Sequence, residues 1–330
     1  MAMGEWTRPE LPAAWVALRP EAAGICGSEV EGYAGLQPNR TPPLVMGHEF
    51  AGVVVEAGAS ADAAWIGRRA TVNPIISCRR CALCAAGQRN LCPERRLIGV
   101  HEPGGFAELV LAPQANLVPL PAGVVPQLGA LVEPLANGVH AAGLALAGRP
   151  LTGVGAVIGA GAIGLLALQA AATESGAGIH VLELDRARRE RAAALGARAA
   201  HRSPGDLLDG LRGETAGLGA DFVIDAVGRE STRQLAVAAV RPGGRVVLLG
   251  LHDDATSFGG HDLVRREVLV TGSYAYTDAE FARALTLVAD GRAGIGELPA
   301  VQPLESTPAL FARLAEGPTD EVKLFVAPRD

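Results

Sequence analysis

Gly159-Ala160-Gly161-Ala162-Ile163-Gly164 directly follows an apolar run ending at Ile158 and opens an Ala/Leu-rich stretch through Ala171. A glycine pattern in that strand-to-helix context restricts the fold sharply. Gly159 permits the tight turn, Gly161 lets a pyrophosphate approach the backbone, and Gly164 lets helix and strand pack closely, while the helix N-terminus faces the negative charge. Ile163 lies between them, on the first turn of the helix. About 20 residues on, the run 179–183 ends in Glu183, the acid expected to accept hydrogen bonds from an adenosine ribose. A carboxylate there repels a 2′-phosphate, so NAD is favoured over NADP. Asp185 is a second candidate for that role, and Arg186 and Arg188 suit either a solvated helix face or a phosphate clamp.

The same rhythm extends over residues 155–272. Apolar runs at 155–158, 179–183, 221–226, 245–250 and 268–273 alternate with helical segments, which predicts a parallel sheet covered by helices on both faces. Before residue 135 the pattern differs: short runs such as 50–56 and 106–112 are separated by Gly, Pro and Asn clusters, as in a β-rich, loop-rich domain. Helices are expected near 278–290 and 308–316, and a strand at 322–326. A chain of 330 residues, 49% hydrophobic, is long enough for two cores. A formal charge of -6 and the lack of a basic run with interleaved aromatics argue against a nucleic-acid partner and for a small-molecule ligand. No uninterrupted apolar stretch is long enough for a membrane span, so a soluble cytoplasmic protein is expected.

Four of the five cysteines, Cys78, Cys81, Cys84 and Cys92, are spaced C-x2-C-x2-C-x7-C. Such a spacing lets four thiolates wrap one tetrahedral zinc ion as a closed structural site. Two disulfides are the alternative, and they would need an oxidising compartment. The fifth, Cys26, lies in Gly24-Ile25-Cys26-Gly27-Ser28. His48 and Glu49, in Gly47-His48-Glu49-Phe50, and Glu133, in Glu133-Pro134-Leu135-Ala136, are further metal donors. Three protein ligands with an open position suit a catalytic zinc. Taken singly, each is as easily a core thiol, a hydrogen-bonded histidine or a surface charge.

These phrases, with Gly104-Gly105-Phe106-Ala107-Glu108, Pro242-Gly243-Gly244-Arg245 and Gly272-Ser273-Tyr274, run along nearly the whole chain in one order. Together they resemble the zinc-dependent medium-chain alcohol and polyol dehydrogenases, the group that includes sorbitol, threonine and butanediol dehydrogenases. The resemblance implies an α/β protein with two domains. A partly open β-barrel catalytic domain takes residues 1–134 and 276–330, and a doubly wound Rossmann domain takes 135–275. It also implies two zinc ions per chain. Cys26 and His48 are ligands of the catalytic one, and Glu49, Glu133 or water completes the shell.

The implied reaction is hydride transfer between a secondary alcohol or polyol, or its ketone, and NAD. L-threonine or an amino alcohol is an alternative substrate, and a non-catalytic zinc- and dinucleotide-binding relative an alternative function. Ser28 is implied in proton removal and Glu29 in orienting His48. Glu31 stands where the family often has a relay histidine. The family usually opens with a longer hairpin than residues 1–18 supply, so a short or irregular first strand is expected. A homodimer or homotetramer, joined by sheet edges of the dinucleotide domains, is implied as well.

Overall fold

In the computed structural model, all residues are described except 38, 148–150, 318, 320 and 330. The chain divides into two compact units. The first comprises Met1–Glu133, Thr277–Gly291 and Glu297–Asp330, and the second Pro134–Tyr276 with Arg292–Gly296. The expected division gave all of 276–330 to the first unit. Tyr276 and Arg292–Gly296 lie instead with the second, and Gln169 fixes the latter segment by donating to the Gly294 carbonyl at 2.7 Å and accepting from its amide at 3.0 Å.

The first unit is built on a seven-stranded sheet. Its order is Val301–Pro303, Phe325–Ala327, Trp15–Gly24, Glu49–Ala57, Arg69–Val72 and Leu117–Pro119, with Val110–Pro113 also pairing to Trp15–Gly24. The first strand is therefore not short. It runs ten residues and pairs with three neighbours, Val110–Pro113 and Glu49–Ala57 among them. Irregularity is present as two register shifts against Glu49–Ala57, one between Ala17 and Leu18 and one between Pro20 and Ala22. Proline has no N–H to give a ladder, so a shift there re-establishes pairing beyond it. Val16, Leu18, Phe50, Val54, Ile98, Val110 and Phe311 fill the core.

The expected strand at 106–112 shrinks to Val110–Pro113. Residues 104–106 are instead pinned as a turn, with the Gly105 and Phe106 amides donating to the Gly47 and Met46 carbonyls at 2.8 and 3.0 Å. The C-terminal strand likewise begins later than expected, at Phe325–Ala327.

The second unit contains a six-stranded sheet in the order Ala199–His201, Gly178–Leu182, Val154–Ile158, Ala220–Asp225, Val240–Leu248, Leu269–Gly272, every pair parallel. Numbered along the chain this is 3-2-1-4-5-6, the doubly wound Rossmann order. The order reverses between Val154–Ile158 and Ala220–Asp225. Helices Ala162–Ser175, Arg186–Ala194, Pro204–Glu214 and Glu230–Ala239 connect successive strands. Among the described residues, no helix is long and apolar enough to cross a membrane.

Asp221 anchors the entry to this sheet. Its carboxylate accepts from the amides of Leu151, Thr152 and Gly153 at 2.8–3.2 Å and from Arg241 Nε at 2.6 Å. Burial alone would raise its pKa, but the guanidinium and the backbone donors outweigh that and hold it below the ordinary aspartate value. A depressed folded-state pKa contributes stability that is complete above the unfolded value and disappears as pH falls through the folded one. Asp221→Ala is expected to lower the urea midpoint at pH 7, by about 3 kcal/mol in unfolding free energy. The gap from wild type should close as the pH is taken down through the acid range. A gap that is constant with pH would contradict this reading.

Candidate active site and metal centres

Strand register assembles the first cluster. Gly24 and Glu49 are direct partners across two antiparallel strands, and Cys26 lies two residues past one while His48 immediately precedes the other. A side chain on Gly24 would collide with the Glu49 carboxylate, its Cβ falling 2.5 Å from Oε2. The donor atoms of Cys26, His48 and Glu49 converge within 4.8 Å of one another, His48 and Glu49 both buried. Glu133, on the helix Pro126–Leu146, is buried too but does not join that group.

Cys26 caps the short helix Gly27–Tyr33, and Glu29 is the third helical residue. Its carboxylate turns back to accept from the Cys26 amide at 3.0 Å, as in a capping box. The same fully buried group reaches the second strand. Glu29 Oε1 accepts from the amides of Gly47 and His48 at 2.9 and 3.2 Å and sits 2.7 Å from His48 Nδ1. With Nδ1 held there, Nε2 is the ring nitrogen left to bind a metal. Gly47 adopts a φ of +106°, and a Cβ on it would fall 2.6 Å from the Phe106 amide nitrogen. Glycine is thus required for the turn that presents His48.

Charge balance in this pocket favours a cation. Burial opposes ionisation of Glu29, yet the imidazole beside it pulls its pKa below normal. Burial likewise disfavours His48 protonation, but Glu29 and Cys26 overcome it and raise the imidazole well above its usual value. On the far side of Glu49 is Lys323, delivered by the hydrogen bond from Ile25 N to Leu324 O at 2.9 Å. Its Nζ donates to Glu49 Oε1 at 2.6 Å and also contacts Oε2, with both residues buried. Burial would lower the lysine pKa; the carboxylate raises it.

Ser28 Oγ donates to Cys26 Sγ at 3.3 Å and accepts from Arg40 Nη2 at 2.9 Å. Glu31 is engaged elsewhere, accepting from Gln37 Nε2 at 2.6 Å, and makes no hydrogen bond to Ser28. Tyr33 packs edge-on against Phe311, with ring centroids 5.8 Å apart.

The cysteine quartet forms a second cluster, its sulfurs also within 4.8 Å of one another and all reduced. Cys78 Sγ lies 3.5 Å from Cys92 Sγ and 3.9 Å from Cys84 Sγ. These separations match the roughly 3.8 Å between thiolates held tetrahedrally at about 2.3 Å from zinc, and are far longer than the roughly 2.05 Å of a disulfide. The backbone amides of Arg80 and Cys81 pull the Cys78 thiol down to about 7. Cys81 is lowered by the Cys84 amide but pushed up overall, to about 11, by burial and the neighbouring sulfurs. Crowded thiols resist deprotonation together unless a cation neutralises them.

In the second unit, Gly159 has a φ of +93°, and a Cβ on Gly164 would lie 1.9 Å from the Gly159 carbonyl oxygen. Gly161 caps the helix Ala162–Ser175 without a side-chain hydrogen bond, and the space over it is open. The first amides of this helix, Ile163 and Gly164 included, belong to the set that no intrahelical acceptor satisfies. Glu183 lies over the turn, accepting from the Ala160 amide at 2.9 Å and the Asp185 amide at 3.0 Å. Asp185 is instead the cap of the next helix, accepting from Arg188 N at 2.9 Å.

Residues 12–122 match the alcohol dehydrogenase GroES-like domain family, and 162–290 match the zinc-binding dehydrogenase family. The chain belongs to the zinc-dependent medium-chain alcohol and polyol dehydrogenases. It is 34% identical to L-galactonate-5-dehydrogenase of Escherichia coli over 87% of this chain and 84% of that one. It is 32% identical to sorbitol dehydrogenase of Halalkalibacterium halodurans over 83% and 80%. A structure from Sinorhizobium meliloti described as a zinc-binding dehydrogenase bound to NADP superposes with a TM-score of 0.86 at 35% identity, covering 97% and 94%. As a member of this family the protein is an oxidoreductase of alcohols and ketones that uses a nicotinamide cofactor.

Arg40 and Lys323 are the site residues that sequence reasoning passed over. Lys323 carried a signal, as the single lysine among many arginines. Lys323→Met is expected to destabilise the protein by about 3–5 kcal/mol, because it strands a buried carboxylate. Adding Glu49→Gln should recover most of that loss in chemical denaturation. Additive losses would show that the two side chains do not act as a pair.

Proposed function

We propose that this protein oxidises a secondary alcohol of a polyol or sugar acid to a ketone with NAD, and catalyses the reverse reduction. The convergence of Cys26, His48 and Glu49, with Ser28 hydrogen-bonded to Cys26, carries this reading. Cys26, His48 and Glu49 would hold one zinc ion and the cysteine quartet a second. At the first site the ion supplies Lewis acidity towards the substrate oxygen. Ser28 would relay the substrate's hydroxyl proton, accepting it as its own proton passes to water, a role suited to a group that both donates and accepts. Because Glu31 is not in contact with Ser28, the proton leaves through water, and Glu31 acts at most as its terminal acceptor.

Glu29 keeps the His48 ring in one orientation, and Lys323 holds the Glu49 carboxylate in a buried ion pair. In the second unit, the open backbone over Gly161 receives the pyrophosphate and Glu183 the adenosine ribose. The preference for NAD rests on Glu183, since the similar S. meliloti protein was crystallised with NADP. Exchanging its hydrogen bond to Ala160 for a ribose hydroxyl keeps the acid satisfied; a 2′-phosphate would face a like charge. Self-association is proposed along Leu269–Gly272, the terminal strand of the parallel sheet, whose outer edge has no neighbour among the described residues.

Growth of absorbance at 340 nm with NAD and a panel of alditols, aldonates and threonine tests the reaction. The expected results are turnover with a preference for NAD and two zinc ions per chain by elemental analysis. His48→Ala should remove one zinc and turnover while leaving the fold; Cys84→Ser should remove the other and lower thermal stability. One zinc per wild-type chain with no turnover across the panel would overturn the proposal. Glu183→Ser should cut the NAD over NADP preference at least tenfold. An unchanged ratio would place the ribose elsewhere.

A further inference from the structure

Arg40, like the buried Arg233, has only neutral hydrogen-bond acceptors among the described residues, but it lies beside the candidate metal ligands. The buried Arg241 and Lys323 instead meet Asp221 and Glu49 in direct ion pairs. Among the described residues Arg40 makes no ion pair, although its charge helps to lower the pKa of the nearby Glu29 carboxylate, which is committed to His48 and three backbone amides. The acceptors of Arg40 among the described residues are neutral, the Gly99 carbonyl at 3.2 Å from Nη1 and Ser28 Oγ at 2.9 Å from Nη2. Its Nε is enclosed and has no acceptor among the described residues.

The guanidinium is held in place rather than free to swing. Gly32 leaves room for its stem, since a Cβ there would lie 2.2 Å from Arg40 Cδ. Both acceptors flank the candidate metal ligands: Ser28 follows Cys26 by two residues, and the Gly99 backbone packs against that of Gly47, next to His48. A positioned cation with spare N–H donors and no direct ion-pair partner among the described residues, hydrogen-bonded to the serine that meets the reacting hydroxyl, has capacity for a further anion.

We infer that Arg40 receives the carboxylate of the substrate, so that the preferred substrates are polyhydroxy acid anions, with the oxidised carbinol close to the acid end, rather than neutral polyols. The inference rests on the alcohol oxidation proposed above and narrows its substrate class. A single unpaired guanidinium suits a monoanion better than a phosphate dianion, because the nearby Arg96 is already paired with Glu102 and Arg95 is directed to the Cys92 carbonyl. Arg40 is thereby a specificity-determining residue, and its hydrogen bond to Ser28 couples recognition of the anion to the group that accepts the proton.

The test compares zinc-loaded wild type, Arg40→Lys and Arg40→Met on six-carbon aldonates, the matching alditols and an alditol phosphate, with calorimetric titration of an aldonate into the enzyme–NADH complex. Wild type is expected to give its highest kcat/KM on an aldonate. Arg40→Met should lose about 10- to 100-fold more on the aldonate than on the alditol, mainly through KM, the range expected for one charged hydrogen-bonded contact. Arg40→Lys should recover part of the difference, and the calorimetric affinity should fall in parallel with the KM effect. Equal losses on aldonate and alditol would confine Arg40 to positioning Ser28, and a wild-type preference for alditols or for the phosphate would likewise overturn the inference. If no alcohol is turned over, the proposed reaction fails while the calorimetry still decides whether Arg40 binds a carboxylate.

Discussion

The active-site half of this protein depends on one buried carboxylate. Glu29 joins the Cys26 backbone, the Gly47–His48 backbone and the His48 ring, which come from segments about twenty residues apart. A carboxylate with no solvent is costly, and here three backbone amides and a neighbouring imidazole offset that cost. Once it is in place the two donor side chains have little freedom. Sheet register then adds the third, since the pairing of Gly24 with Glu49 sets the distance between the chain segments carrying Cys26 and Glu49.

Lys323 extends the same logic outward. It approaches Glu49 from a C-terminal segment 274 residues away, through the strand pairing that also seats Phe325 opposite Gly24. The C-terminal segment therefore does more than complete a sheet: it supplies the ammonium that pairs with Glu49. In the second unit close backbone approach plays the corresponding part. Gly164 and Gly159 bring helix and turn together, and Glu183 reaches back over that turn from the neighbouring strand.

Legibility in the sequence followed the range of the interactions. The cysteine quartet and the glycine turn are local, so spacing alone exposed them. Cys26 is more than twenty residues from the adjacent pair His48 and Glu49, and the three became legible only through the family resemblance of their phrases. Glu133 shared that resemblance, yet among the described residues it is not one of the converging donors. The first strand is irregular as expected, with two register shifts around Pro20, but it is not short, because three paired neighbours hold it as one element. Arg40 lies in a loop rich in proline and turn residues, where nothing in the local pattern signals that its side chain reaches Ser28 and Gly99.

The most direct measurement is zinc affinity at the Cys26–His48–Glu49 site when Glu29 is altered, by chelator competition with the quartet ion as an internal reference. Glu29→Gln, which keeps the size but removes the charge, is predicted to weaken that site by about 10-fold or more while the quartet retains its ion. Affinity unchanged at the first site would contradict the account, since Glu29 would then not be what holds the donors in place.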